Sequence, residues 1–255
     1  MTGDSLLMPV WVQAGAWGLL AGGALVLGAA IAWFLTVPRA VVAAVMAFGA
    51  GVLISALAFD LVDEAEAAAG LGPTLTGFVG GAVLYVVANL ALARRGARHR
   101  KRSELQPSED EHTGSGTAIA VGALLDGVPE SVVLGLSLLG GGGVGVPVLA
   151  AIFLSNLPEG LSSAAGMKRA GRSARYVFGT WGGIALASGL AGALGCLVLQ
   201  DASVAWVAGI TAVAAGAILA MVADTMIPEA FERTHLYVGL IATLGFALAF
   251  ALERG

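Results

Sequence analysis

Runs of apolar residues recur along almost the whole chain, and each is long enough to cross a lipid bilayer. Such a crossing takes about 20 residues in a helix, which satisfies its own backbone polar groups in lipid. Hydrophobic residues make up 58% of the chain and charged residues only 12%, about half the charged share of soluble domains. The sequence therefore predicts an all-α, polytopic membrane protein with eight transmembrane helices. The predicted spans are residues 10–36, 40–62, 73–94, 117–140, 145–167, 174–199, 203–228 and 236–252.

The basic residues are distributed to one side of these spans. Twelve of the 13 lysines and arginines fall in the loops after the first, third, fifth and seventh spans, and only Arg254 falls on the other side. Because cytoplasmic loops carry an excess of basic residues, these loops are predicted to be cytoplasmic. We therefore expect a multi-pass protein of the cytoplasmic membrane with both termini outside.

One transmembrane domain is expected over residues 1–255, with a flexible cytoplasmic loop at 95–117. This loop runs from a basic cluster to an acidic, serine-rich patch and has no apolar periodicity. We interpret its basic cluster as a topology anchor rather than a binding site for lipid or nucleic acid, so no nucleic-acid partner is expected. The apolar spans themselves are expected to be surrounded by membrane lipid. The loop predicted after the second span is acidic instead, with Asp60, Asp63, Glu64 and Glu66.

A faint repeat relates the two ends of the chain. Residues 62–65 at the end of the second span resemble residues 227–230 at the end of the seventh, 165 residues later, and the same offset pairs Ala50-Gly51 with Ala215-Gly216. This favours an inverted repeat of spans one to three and six to eight, a common transporter design. Chance similarity between helices rich in alanine and glycine is the open alternative.

Two neighbouring spans carry similar polar motifs inside apolar runs. Span four contains Asp126 and Pro129-Glu130, and span five contains Ser155-Asn156 and Pro158-Glu159. Residues four apart share a helix face, so each motif presents two polar side chains in one direction. The short Gly140–Gly143 link predicts that the spans pack as a hairpin, with three carboxylates converging near the bilayer centre.

The prolines add oxygen atoms to this site. Neither Pro129 nor Pro158 can donate a backbone hydrogen bond, which frees the carbonyls of Leu125 and Leu154. With Ser155 and Asn156, these carbonyls and the carboxylates form an all-oxygen set suited to a cation. Away from their ends, the predicted spans hold no lysine or arginine to neutralise the acids, so a cation or protons must do so. Protonated acids that merely hold helices together are the alternative interpretation.

Other metal-binding residue types lie outside this region. The three histidines, His99, His112 and His235, all fall in predicted loops and are not expected to be ligands at the bilayer centre. Cys196 is the only cysteine, which excludes an internal disulfide and a CxxC metal site.

With these motifs the chain resembles the ZIP family of divalent metal transporters, most closely its GufA-like bacterial branch. Family members typically show His-Asn-x-Pro-Glu-Gly in span four and a similar motif in span five, and here Pro129, Glu130, Asn156, Pro158, Glu159 and Gly160 match. The resemblance covers nearly the whole chain, including the long loop after span three and the ending of span seven at residues 224–229. It implies the family's 3+2+3 helix arrangement, and a homodimer is a family-level expectation.

The chain departs from the family at several ligand positions. Asp126 and Ser155 replace the first histidine or glutamine ligands, and Gly127 replaces an asparagine. Gly192 stands where span six has a carboxylate, and Thr225 replaces a glutamate in span seven. These differences favour a single metal site over the family's two-metal site. The expected ligands are Asp126, Glu130, Ser155, Asn156 and Glu159.

The resemblance and the motifs together predict transport of a divalent cation, with zinc the first candidate and manganese, iron or cadmium as others. Asp60, Asp63 and Glu64 are expected where the ion enters from outside, and Asp224 and Glu229 where it leaves toward the cytoplasm. A non-transporting metal sensor or scaffold with the same fold is the alternative. An enzyme is not expected, because the chain has no HExxH or GxSxG motif and no histidine in a predicted span centre.

Overall fold

The structure is a computed structural model that describes residues 8–97, 115–139 and 146–254, and every regular element within them is helical. The α-helices are α1 (Val10–Phe34), α2 (Arg39–Ala56), α3 (Val62–Ala69), α4 (Leu71–Leu92), α5 (Ser115–Ser137), α6 (Val146–Arg169), α7 (Ala174–Leu199), α8 (Val204–Met221), α9 (Ile227–Thr234) and α10 (Val238–Arg254). π-Helical segments lie at Leu57–Leu61, Ala93–Ala97 and Val222–Met226, and a 3₁₀ turn at His235–Tyr237.

The all-α prediction is confirmed for the described residues. Seven helical stretches there are long and apolar enough to cross a membrane, and one further apolar helix, Val238–Leu252, is shorter. This composition is compatible with a polytopic membrane protein. Each of these eight helical stretches coincides with one predicted span, with differences of a few residues at most ends.

The second span is longer than predicted. Its helix does not end at residue 62 but continues from Arg39 to Ala69 through the π-helical segment Leu57–Leu61. The acidic stretch expected as a loop is therefore helical, and that prediction is wrong. The reason is local: alanines follow the acids, and the helix stops only at Gly70, whose φ of 82° suits glycine.

The same succession of elements occurs near both ends of the chain. The segment Leu57–Leu61 and helix α3 recur 165 residues later as Val222–Met226 and α9, with the same lengths. A π-helical turn holds one residue more than an α-turn and is rare. Its recurrence at a constant offset argues against chance similarity.

Glycines bring two pairs of these helices into close contact. In α2 and α10, a Cβ added at Gly51 would overlap the carbonyl oxygen of Ala242, and one at Gly245 would overlap that of Phe48. Helices α4 and α8 cross in the same way through Gly81 and Gly216, which meet the carbonyls of Val213 and Phe78. Small residues at such crossings let helix backbones approach.

The helices fall into two groups by their contacts. In the first helix group, α1 packs against α6 and α7, and α5 packs against α7. In the second helix group, α2 packs against α9 and α10, and α4 and α3 pack against α8. The groups meet mainly where α6 contacts α2 and where α5 contacts α8 and the end of α4.

The predicted hairpin of spans four and five is wrong, because α5 and α6 make only sparse contact with each other. Glycine packing explains this result. Gly160 of α6 has no room for a Cβ beside the backbone of Leu25 in α1, and Gly135 of α5 lies against the backbone of Gly192 in α7. Each motif helix thus packs on a different neighbour. The link Gly140–Gly143 lies outside the described residues.

The predicted flexible loop at 95–117 also lies mostly outside the described residues. Its two ends are described and are helical, since a π-helical segment ends at Ala97 and α5 begins at Ser115. The prediction for the part between them stays untested.

Candidate functional site

All five residues predicted as ligands are buried. Asp126 and Glu130 of α5 and Ser155, Asn156 and Glu159 of α6 each expose at most 3% of their surface. Among the described residues, no lysine or arginine is buried with them. A charged side chain at the centre of a membrane helix costs about 2.5–3.5 kcal/mol on insertion scales, so this concentration of acids needs a functional or structural compensation.

The two motifs lie at the same height along their helices. On one side of them, apolar residues of both helices share one core cluster, which includes Ile119 and Ala123 of α5 and Leu161 and Ala164 of α6. On the other side a second cluster joins Val133 and Leu134 to Val148 and Ile152. The polar residues are therefore confined to one layer between two apolar layers.

Tyr85 of α4 enters this layer from the second helix group. Its hydroxyl donates a hydrogen bond of 2.7 Å to Oδ1 of Asp126, and both side chains are buried. Gly81, one turn earlier, allows the close approach of α4 to α8. Tyr85 was not predicted from the sequence, where its only signal is a tyrosine within a mostly apolar span.

The two neutral residues of the span-five motif bind backbone groups. The side-chain amide of Asn156 donates to the carbonyl oxygen of Ala21 in α1 at 3.0 Å, and Ser155 donates to the carbonyl of Ile152 in its own helix at 2.9 Å. Each group thus uses a donor toward the backbone, while its oxygen retains acceptor capacity. Asn156 fixes α6 against α1 in addition to any role toward a cation.

Both prolines lie inside continuous helices. Pro129 is within α5 and Pro158 within α6, and neither helix is broken. A proline in a helix interior removes the bond to the carbonyl four residues earlier. The prediction that the carbonyls of Leu125 and Leu154 are available therefore remains open at these two positions.

A cavity of about 430 Å³ opens between α3, α5 and α8. Asp60 and Glu64 line it, and we call the end of the helices where it opens the acidic end. Its deeper wall includes Val133 of α5 and Val148 of α6, from the apolar layer next to the motifs. Asp63, also predicted at this access path, is exposed and does not line the cavity.

The two acids predicted on the exit path differ in position. Glu229 of α9 is buried, and Ser162 of α6 donates a hydrogen bond of 3.0 Å to its Oε1. Ser162 lies one helical turn beyond Glu159, so Glu229 extends the polar layer away from the acidic end. Asp224 is exposed within its π-helical segment and does not share this environment. Ser162 was also missed by the sequence analysis.

At Gly192, where the resemblance implies a carboxylate in span six, there is no space for a side chain. A Cβ built on Gly192 would lie 2.8 Å from the carbonyl oxygen of Ala14. Thr225, at the other altered position, donates to the carbonyl of Met221 in its own helix at 2.6 Å.

In the part of the chain that the structure describes, no group of three or more His, Cys, Asp or Glu side chains is arranged to hold a metal ion. The predicted set of Asp126, Glu130, Ser155, Asn156 and Glu159 stays a prediction. His235 is exposed in a short turn beside Phe231, while His99 and His112 lie outside the described residues.

A scan against protein-family models finds no match to the chain, and a search of curated proteins finds none either.

Proposed function

We propose that this chain is a ZIP-like transporter that moves a divalent cation across the cytoplasmic membrane. One observation carries the proposal: Asp126, Glu130 and Glu159 are buried at one height on two helices, in a layer without a buried lysine or arginine among the described residues. Acids in such a setting are functional by default, because their burial is costly. Oxygen ligands suit a hard or borderline divalent cation, with zinc the first candidate from the resemblance.

The two helix groups supply a route for the ion. Asp60 and Glu64 in the cavity at the acidic end would concentrate cations, as carboxylates in a cleft do. From there the ion passes the apolar layer to Asp126, Glu130 and Glu159, and Glu229 continues the path. Movement of the first helix group against the second would alternate access. The recurrence of α2, its π-helical segment and α3 as α8, its π-helical segment and α9 supports the inverted repeat of such a design.

Uptake into vesicles tests the proposed site. We expect purified protein in liposomes to take up zinc, manganese, iron or cadmium, and Glu130→Ala with Glu159→Ala to reduce uptake at least tenfold. Glu66→Ala with Asp201→Ala removes two exposed carboxylates instead and should leave uptake within about twofold of wild type, since exposed substitutions have small effects. Unchanged uptake in the buried double variant would refute the assigned residues.

A second candidate is a metal sensor or scaffold that binds the cation without moving it. The packing at Gly192 favours it, because the family's further carboxylate cannot be accommodated there. Calorimetry and vesicle flux, measured on one preparation, distinguish the two functions. Metal binding that depends on Glu130 and Glu159 but is not accompanied by flux would favour the sensor. Binding together with saturable flux would favour the transporter.

A further inference from the structure

A second cavity, of about 340 Å³, opens at the opposite end of the helices from Asp60 and Glu64. It lies between the end of α1, the start of α2 and the end of α6. Arg39, Lys168 and Arg169 line it, and none of its other described lining residues is acidic. The rest of its wall is mainly apolar and includes Leu35, Val42 and Leu161. We call this the basic cavity.

Lys168 has a fixed position in the basic cavity. Its Nζ donates to the carbonyl oxygen of Trp33 at 2.6 Å and lies 5.4 Å from the centre of the Trp33 ring. These two contacts hold the ammonium group of Lys168, an exposed residue, at the cavity in the absence of a ligand. Since an ammonium has three donors, further hydrogen bonds to a ligand remain possible.

Arg39 and Arg169 add two guanidinium groups. Both make other contacts, but a guanidinium has five donors and can bind a phosphate oxygen besides. Arg39 is also the first residue of α2, a helix of 18 residues whose positive dipole end therefore lies at the cavity. Three cations and a helix N-terminus surround one space.

The positive charge of this cavity repels a divalent cation and attracts an anion. Its apolar wall offers nothing to a free inorganic anion but can contact an acyl chain. We propose that the basic cavity binds the phosphate of an anionic phospholipid, with the start of its acyl chain against Leu35, Val42 and Leu161. Basic pockets between helices on the cytoplasmic side are suited to anionic headgroups, and this is the end that the basic loops predict to be cytoplasmic.

The site would join the two helix groups, because α1 and α6 belong to the first and α2 to the second. A ligand that binds only the folded protein stabilises it by mass action. The proposal does not depend on transport: lipid binding and cation flux are measured separately, and either can fail alone.

The test is lipid titration of the purified full chain in detergent, followed by native mass spectrometry and thermal unfolding. Phosphatidylglycerol should bind at least tenfold more tightly than phosphatidylcholine and should raise the unfolding temperature with concentration. Equal binding of the two lipids would overturn the proposal, and this comparison needs no variant. Inorganic phosphate that binds as tightly as phosphatidylglycerol would overturn the lipid assignment.

Matched variants locate the site. Replacing Arg39, Lys168 and Arg169 by glutamine should weaken phosphatidylglycerol binding at least tenfold. Replacing Arg94, Arg95 and Arg175 by glutamine removes the same charge from positions at the same end that are likewise exposed but do not line the cavity, and should change binding less than threefold. An equal loss of phosphatidylglycerol binding in both triple variants would show a general effect of charge and would refute the basic cavity as the binding site. Ala165→Leu, which fills the cavity wall without changing charge, should also weaken binding.

Discussion

At the scale of single residues, a hydrogen bond from Tyr85 to Asp126 connects the helix groups within the polar layer. Tyr85 belongs to α4, on which only Thr74, Gly81 and Tyr85 itself are buried, and its hydroxyl holds Asp126 of the first group. The bond contributes to the orientation of the Asp126 carboxylate. Under the proposed function, Tyr85 is a positioning residue for the first acid of the motif.

Tyr85→Phe should lower the thermal unfolding temperature and raise the KM for cation uptake by about tenfold, with a smaller effect on the maximal rate. The physical reason is that a hydrogen bond to a charged group contributes about 1.5–3 kcal/mol, and about 1.4 kcal/mol is a factor of ten. Tyr237→Phe, at an exposed position, is the control. If both variants show the wild-type KM, Tyr85 does not position Asp126 for a cation.

Ser162→Ala tests the hydrogen bond to Glu229 in the same way. We expect a loss of about 1–3 kcal/mol in unfolding free energy, because the substitution takes a donor from a buried carboxylate. Ser131→Ala is matched in burial, but Ser131 bonds only a carbonyl of its own helix in this structure, so its loss should be smaller. Chemical denaturation in detergent measures both, and equal losses would contradict this account of Ser162.

The sequence was informative about which acids are buried and uninformative about their partners. A charge in an apolar run is visible without a structure, so Asp126, Glu130 and Glu159 could be identified. Tyr85 lies 41 residues from Asp126, and Ser162 lies 67 residues from Glu229. Contacts between residues so far apart leave no periodic signal in the sequence, because they depend on which helices become neighbours.

At the scale of helices, the glycine crossings determine those neighbours. Gly51→Ala or Gly216→Ala should destabilise the protein by at least about 1–3 kcal/mol, since an added methyl group has no space against a carbonyl and overpacking costs this much. Gly80→Ala is the control beside Gly81: its Cβ would meet open space, and alanine is favoured over glycine in a helix by about 1 kcal/mol. Thermal unfolding in detergent compares them, and a neutral Gly51→Ala would contradict the crossing.

Two predictions about helices, the end of the second span and the hairpin of spans four and five, were wrong because apolar length does not show where helices end or which helices pack together. Apolar length gave eight candidate spans that coincide with apolar helical stretches, but it could not show that an acidic stretch continues α2 as far as Ala69. A short link between α5 and α6 suggested a hairpin, yet Gly160 and Gly135 draw these helices to α1 and α7. Pairing in helical proteins depends on small residues at particular faces, and a sequence rich in glycine offers many equivalent faces.

At the scale of the whole molecule, the two helix groups enclose cavities of opposite charge. Carboxylates line the one at the acidic end, and cationic groups line the basic cavity. Under the proposed function, a cation would be attracted at the first and repelled at the second, which argues against the basic cavity as its exit. Glu229 lies on α9 and accepts a hydrogen bond from Ser162 of α6.

Cross-linking tests whether the groups must move. In a Cys196→Ala background, Val52→Cys with Ala151→Cys joins α2 to α6 across the groups, and a short thiol cross-linker should abolish uptake reversibly. Val52→Cys with Ala249→Cys joins α2 to α10 within one group and should leave at least half of the uptake. Full uptake in the first cross-linked protein would show that flux does not require this motion.

The π-helical segment before α9 has a further consequence. A residue advances an α-helix by about 100°, so the additional residue in the wider turn rotates everything that follows by roughly that angle. Without it, Glu229 would swing away from Ser162 to another side of the bundle. One added residue in the turn Val222–Met226 therefore decides the direction in which the Glu229 side chain points.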